Sequence, residues 1–126
     1  MNILVIDDEP IIGELFKRSL GKEGHNITVC DNGVQALDII NASKFDLIFL
    51  DLMLPDLSGT EVFQHIRKTS EKTNVVIITG LYESDQVNMA MAYQPFVILK
   101  KPFTIETIQS IVAILSAGQK QETVIH

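Results

Sequence analysis

Five short apolar runs alternate along the chain with five longer stretches in which apolar positions recur every three or four residues. The first run, Asn2-Ile3-Leu4-Val5-Ile6, reads as a buried strand and ends in Asp7-Asp8-Glu9-Pro10, three acids and a proline suited to the first turn of a helix. The helix expected there carries Ile11, Ile12, Leu15, Phe16 and Leu20 as its inward stripe and stops near Gly21 or Gly24. A second strand over residues 25–30 leads through the turn residues Asp31-Asn32-Gly33 into a helix with Val34, Ala36, Leu37 and Ile40 on its inner side. The run Leu47-Ile48-Phe49-Leu50 is unbroken, as in a strand covered on both faces, and ends at Asp51 before a turn containing Pro55 and Gly59. Ser58 followed by Glu61 is a capping box, so a third helix is predicted over residues 59–68 with Val62, Phe63 and Ile66 inward. A β-branched run from Val75 to Ile78 then ends in Thr79-Gly80. A weaker helix over residues 83–93, stopped by Gln94-Pro95, precedes a fifth strand, Phe96-Val97-Ile98-Leu99, which finishes in Lys100-Lys101-Pro102-Phe103. The last helix is expected over residues 104–117, with Ile105, Ile108, Val112 and Leu115 on one face and Ile111 and Ile114 beside it.

Strands this short and apolar, alternating with helices, imply an α/β domain: a five-stranded parallel sheet with right-handed crossovers and helices on both faces. The strand order expected is 2-1-3-4-5, the flavodoxin-like arrangement. Residues 1–118 form the domain, and residues 119–126 are a polar tail expected to fray or to begin a linker. With 126 residues, 46% hydrophobic and 21% charged, the composition is that of one soluble globular unit with a single core. A net charge of -6 and the lack of any basic stripe argue against direct nucleic-acid binding, which draws its affinity from neutralised phosphates. The lone Cys30 is expected to pack as a small hydrophobe in a reducing cytoplasm. No signal peptide is expected, because the apolar start is short and acids follow at once, and no segment reaches the length of a membrane span.

Candidate chemistry gathers where the strands end. In open α/β sheets ligands bind outside the carboxyl ends of the strands, and four such ends here carry Asp7 and Asp8, Asp51, Thr79 and Lys101. Asp51 alone could be a strand-end acid that caps the next turn. In the expected order, however, the first and third strands are neighbours, so Asp7, Asp8 and Asp51 meet and repel one another unless a cation is present. A hard, oxygen-seeking Mg²⁺ suits such a cluster. The same acids exclude a flavodoxin-type phosphate cradle after the first strand, which needs hydroxyls, glycines and free amides.

Taken together, Asp7-Asp8, Asp51-x-x-Leu54-Pro55-x-x-x-Gly59, Thr79 and Lys101-Pro102-Phe103, in this order, resemble the receiver domain of bacterial two-component response regulators. The resemblance covers about residues 2–117. It implies that Asp51 is the phosphoacceptor, fed by a phosphohistidine of a histidine kinase or phosphotransfer protein. It implies that Asp8 ligates Mg²⁺ directly, with Asp7 acting mainly through water, Asp51 through its carboxylate and Met53 through its backbone carbonyl. Thr79 would be the switch hydroxyl, Lys101 the cation that pairs with the acceptor and then with the phosphoryl group, and Lys101-Pro102 a cis bond. The partner-facing surface, and a possible homodimer contact, would be the fourth helix, fifth strand and fifth helix. His25, His65 and His126 are expected to be ordinary surface or packing residues, and Lys100 a solvated charge.

Two rivals use similar residues. An aspartyl-phosphate phosphatase would have a second acid two positions after its nucleophile, where this chain has Met53. A degenerate receiver, kept only for docking, would be expected to lose Asp51, the acid pair or Lys101, and all are present. The chain departs from the family's pattern at Ile98, where an aromatic residue is usual, and at Gln94-Pro95, where small residues are usual. These departures bear on the switch rather than on phosphorylation. Because the chain stops soon after the last helix, it is either a stand-alone receiver or part of a regulator with a further output domain.

Overall fold

The computed structural model describes the backbone of residues 1–125 and the side chains of residues 1–119. Its elements follow in the order β1 (Asn2–Ile6), α1 (Pro10–Gly21), β2 (Asn26–Cys30), α2 (Gly33–Ala42), β3 (Leu47–Asp51), α3 (Gly59–Thr69), β4 (Asn74–Thr79), α4 (Asp85–Met91), β5 (Val97–Lys100) and α5 (Ile105–Ile125). The five strands form one parallel sheet in the order β2-β1-β3-β4-β5, as the alternation of strand and helix implies.

Period-two alternation divides the central strands between two apolar layers. Ile3, Val5, Leu47, Phe49, Val76 and Ile78 pack with Phe16 and Leu20 of α1 and with Ile108 and Val112 of α5. Leu4, Ile6, Ile48, Leu50, Val75 and Ile77 pack on the other face with α2, α3 and α4 through Ala36, Phe63, Ile66 and Val87. The unbroken apolar character of β1, β3 and β4 is thus the direct consequence of helices on both sides. Phe16 packs against Phe49 with tilted rings, 4.6 Å between centroids, and meets Phe103 edge-on at 6.0 Å.

Helix starts follow their local chemistry. Asn32 accepts from the Gln35 amide at 2.8 Å, Ser58 from Glu61 at 3.2 Å and Ser84 from Val87 at 3.2 Å. The inward stripes need correction at their ends. Ile11, Val34, Ile105 and Ile114 are exposed, although the periodicity puts them with the core. Ile11, Val34 and Ile105 lie in the first turns of their helices, where the helix overhangs the strand ends, and Ile114 lies at the edge of its stripe. Helix α4 is shorter than expected, because Ser84 caps it late and Gln94, with φ of 59°, turns the chain in the left-handed region soon after its end. The fifth strand begins one residue later than expected and includes Lys100. Helix α5 continues beyond Ala117 to Ile125: one glycine at 118 does not stop it, and Gln119, Lys120, Gln121 and Glu122 are good helix formers. His126 lies outside the described residues.

Candidate functional site

The polar groups of the site lie at the carboxyl ends of β1, β3, β4 and β5. Asp51 ends β3 and is 3% exposed, held in place by a fully apolar strand behind it. Its Oδ1 accepts from the Met53 amide at 3.0 Å, and its Oδ2 accepts from Lys101 Nζ at 3.0 Å. The turn that follows is closed by a bridge between Met53 and Ser58 and by the Gly59 amide, which donates to Leu52 O at 2.9 Å. Only glycine fits at 59: a Cβ there would run into the Asp51 carbonyl oxygen and stand 2.5 Å from Leu52 Cα. The glycine at the end of the Asp51 motif therefore lets α3 start directly on the backbone of the candidate phosphoacceptor.

The acids of the β1–α1 loop meet Asp51 as expected. Oxygen atoms of Asp7, Asp8 and Asp51 all lie within 4.8 Å of one another, with Asp7 and Asp51 buried and Asp8 exposed. Asp7 Oδ1 accepts from the Glu9 amide at 2.9 Å. Its Oδ2 stands 2.8 Å from Lys101 Nζ, close enough for an ion pair, yet it is a buried oxygen without a hydrogen bond of proper geometry. Burial raises the Asp7 carboxyl above the usual aspartate range and Asp51 pushes the same way, against the pull of Lys101 and the Glu9 amide. An all-oxygen set with one under-satisfied buried atom fits a hard divalent cation.

Lys101 follows β5, its amide donates to Thr79 O at 2.8 Å, and its bond to Pro102 is cis. Its Nζ contacts three carboxylates: Glu9 at 2.6 Å, Asp7 at 2.8 Å and Asp51 at 3.0 Å. Burial alone would lower its pKa, but the three close carboxylates of Asp7, Glu9 and Asp51 prevail and hold it above the ordinary lysine range. Lys100 is exposed, so the two lysines do separate. Thr79 stands outside these contacts. It is fully buried, and its Oγ1 accepts from the Leu81 amide at 3.0 Å.

Two residues gain roles that the sequence pattern does not reveal. Glu9 is legible as the third acid of its loop but not as the nearest partner of Lys101, 92 positions away. Asp56 accepts from the Gly33 amide at 2.7 Å, Val34 at 2.9 Å and Leu57 at 2.8 Å, so it pins the β3–α3 turn to the start of α2. Those backbone donors hold its carboxyl below the usual range. His25 contacts the chain's amino terminus and His65 contacts Asn41, both away from the acid cluster.

Residues 3–113 match the model of the response regulator receiver domain. The chain belongs to that family. The receiver domain is 32% identical over 110 residues to sporulation initiation phosphotransferase F of Bacillus subtilis, covering 87% of this chain and 89% of that protein. It spans only 35% to 52% of the length of several other curated relatives, among them a transcriptional regulatory protein, MalR, of Bacillus subtilis. Among solved structures it resembles the receiver domain of a putative LuxO repressor from Vibrio parahaemolyticus, at 28% identity and a TM-score of 0.87, covering 99% of this chain and 96% of that one. The response regulator TrrA of Thermotoga maritima, solved in complex with Mg²⁺ and BeF, is 34% identical with a TM-score of 0.77, covering 90% of this chain and 97% of that one. This protein is accordingly the receiver domain of a two-component response regulator, a signalling module of a kind that interacts with histidine kinases or phosphotransfer proteins. Among the described residues, no helix is long and apolar enough to cross a membrane.

Proposed function

We propose that Asp51 is the phosphoacceptor of this receiver domain, and that the chain promotes its own phosphorylation from a phosphohistidine of a partner kinase or phosphotransfer protein. The observation that carries the reading is the convergence on Asp51 of a half-buried lysine ammonium and two further carboxylates, at the end of the most deeply buried strand. In the transfer, a carboxylate oxygen of Asp51 forms the new bond to phosphorus as the bond to the partner's imidazole nitrogen breaks, and the imidazole leaves with the bonding electrons and takes up a proton. Lys101, already on Asp51 Oδ2, is positioned to pair with the phosphoryl oxygens as charge develops there. The Met53 amide on Oδ1 fixes the direction in which the other oxygen faces.

Asp8, Asp51 and the Met53 carbonyl would hold Mg²⁺, with Asp7 acting mainly through water. The ion would supply charge neutralisation on the transferring oxygens. Met53 in place of an acid two positions after Asp51 disfavours a phosphatase. After phosphorylation the Thr79 hydroxyl turns from the Leu81 amide toward the phosphoryl group and carries the β4–α4 loop with it. The responding surface is α4–β5–α5, where Met89, Met91, Phe96, Ile105 and Ile114 are exposed and available to a partner or a second copy. A cytoplasmic location and a lack of direct nucleic-acid binding complete this reading, in keeping with the lone buried Cys30 and the net charge of -6.

Acetyl phosphate with Mg²⁺ should add one phosphoryl group to the intact protein, mapped to Asp51 by mass spectrometry. Asp51→Asn and excess chelator should each abolish it, and Asp8→Ala should markedly weaken metal binding. Undiminished labelling of Asp51→Asn would overturn the assignment, and undiminished labelling in chelator would remove the metal.

A further inference from the structure

Lys101 Nζ donates to Glu9 and Asp51 and is ion-paired with Asp7, all within 3.0 Å, so an arriving phosphoryl group meets an ammonium already surrounded by carboxylates. A phosphoryl oxygen must compete with these carboxylates for the lysine. The three are not equal. The side chains of Asp7 and Asp51 are 0% and 5% exposed, whereas that of Glu9 is 55% exposed. A buried carboxylate that loses its cation stays desolvated, while an exposed one is taken up by water at small cost.

Glu9 is also the nearest of the three, at 2.6 Å, and among the described residues no other hydrogen bond or ion pair engages its side chain. It occupies the N-cap position of α1, yet its carboxylate makes no capping hydrogen bond there. The helix start instead uses the Glu9 carbonyl, which accepts from the Ile12 amide at 3.0 Å, and Pro10 at the first helical position. The side chain is therefore dispensable for the local fold and committed to Lys101.

We infer that Glu9 is a positioning residue that holds Lys101 in the resting state as a displaceable stand-in for the phosphoryl group, and so restrains phosphorylation. The inference rests on the phosphoacceptor reading of Asp51. Glu9 acts through Lys101: its release accompanies arrival of the phosphoryl group or of an analogue of it.

The test uses beryllofluoride as the probe, titrated by NMR into wild type and Glu9→Gln at saturating Mg²⁺, with Mg²⁺ affinity measured separately. Glu9→Gln keeps the size and backbone role of the residue and removes the charge. It should bind beryllofluoride about two- to fivefold more tightly in low salt, the range expected for loss of one exposed ion pair. The gain should shrink toward unity near 1 M salt, where the Debye length is about 3 Å. Glu9→Asp, which keeps the charge but is one methylene shorter, should fall between the two. In metal-free protein the Lys101 ammonium protons should exchange faster in Glu9→Gln than in wild type. Equal beryllofluoride affinity in wild type and Glu9→Gln at low salt would overturn the inference and leave the phosphoacceptor reading intact, as would a gain that salt does not diminish. A wild-type protein that binds no beryllofluoride at saturating Mg²⁺ would overturn both.

Discussion

The β1–β3 end of the site and the β4–α4–β5 region are built from the same kinds of element but held in opposite ways. Every residue of β3 is buried, and the groups at its end are tied by charge: Asp7, Asp51 and Glu9 converge on one ammonium, and Gly59 seats α3 against the Asp51 backbone. In β5, by contrast, three residues are half-buried and Lys100 is exposed. Helix α4 has seven residues and gives the core only Val87 and Ala90. An open cleft of about 570 Å³ lies beside it, lined by Tyr82, Ser84, Val87, Met91 and Ile98 among others. What fastens α4 is polar and sits at its two ends. Thr60 Oγ1 donates to Gln86 Oε1 at 2.9 Å, and Arg67, stacked on Phe63, donates to Tyr93 O at 2.8 Å and Gln94 O at 3.2 Å. Few buried apolar contacts and exposed loops are the physical content of low local stability. The proposed chemistry thus sits where movement is costly, and the proposed responding surface where it is cheap.

The sharpest way to break that comparison is to delete apolar groups from both regions. Phe49→Ala removes a fully buried ring that packs against Phe16 and should cost about 3–5 kcal/mol in denaturant unfolding. Ile98→Ala, half-buried beside an open cleft, should cost less than about 2 kcal/mol and behave as a packing change alone. Equal losses would mean that the β4–α4–β5 region is as firmly packed as the centre.

A smaller effect should come from the Thr79 hydroxyl at the end of β4. Thr79→Ala leaves the Leu81 amide without its acceptor in a partly buried loop, a loss of about 1–3 kcal/mol. Its main consequence should be functional. Phosphorylation of Asp51 should proceed, while the NMR shift changes across α4 and β5 that it causes in wild type should largely vanish. Identical changes in both proteins would place the coupling elsewhere.

The firm region was legible in the sequence and the loose one only in part, for a physical reason. Runs such as Leu47-Ile48-Phe49-Leu50 admit one environment, a strand covered on both faces, and that fixes the neighbours of Asp51. The convergence of Asp7, Asp8, Asp51 and Lys101 then follows from strand order. Contacts made by long side chains do not follow from periodicity: Glu9 on Lys101 and Asp56 on the start of α2 depend on reach and on which loops face each other. Helix ends are hidden for a related reason. Ile11 and Val34 continue an apolar stripe in sequence after the sheet beneath it has ended, so they stand exposed. In α4 the weak stripe of Val87 and Ala90 left its limits to Ser84 and to the left-handed turn at Gln94.

The smallest expected effect concerns how long the signal lasts, and it probes the border between the two regions. Hydrolysis of the Asp51 phosphate needs a water held in line with the breaking bond, approached between the residues two after Asp51 and two after Thr79. These are Met53 and Leu81, residues 52% and 53% exposed. Neither can orient a water by hydrogen bonding, and both are bulky enough to obstruct its approach. The phosphorylated protein should therefore be long-lived when no phosphatase is present. A polar group at either position that held the water in the transition state would be worth on the order of 1 kcal/mol, or about fivefold in rate. Met53→Asn and Leu81→Glu should each speed phosphate release several-fold in Mg²⁺, and together by roughly the product if they act on the same water from opposite sides. Because both residues are exposed, neither change should alter the unfolding midpoint much, which separates water access from packing. If release from Met53→Asn and from the double variant kept the wild-type rate, the lifetime would be set by the firmly held side, through Lys101 and the acids around it.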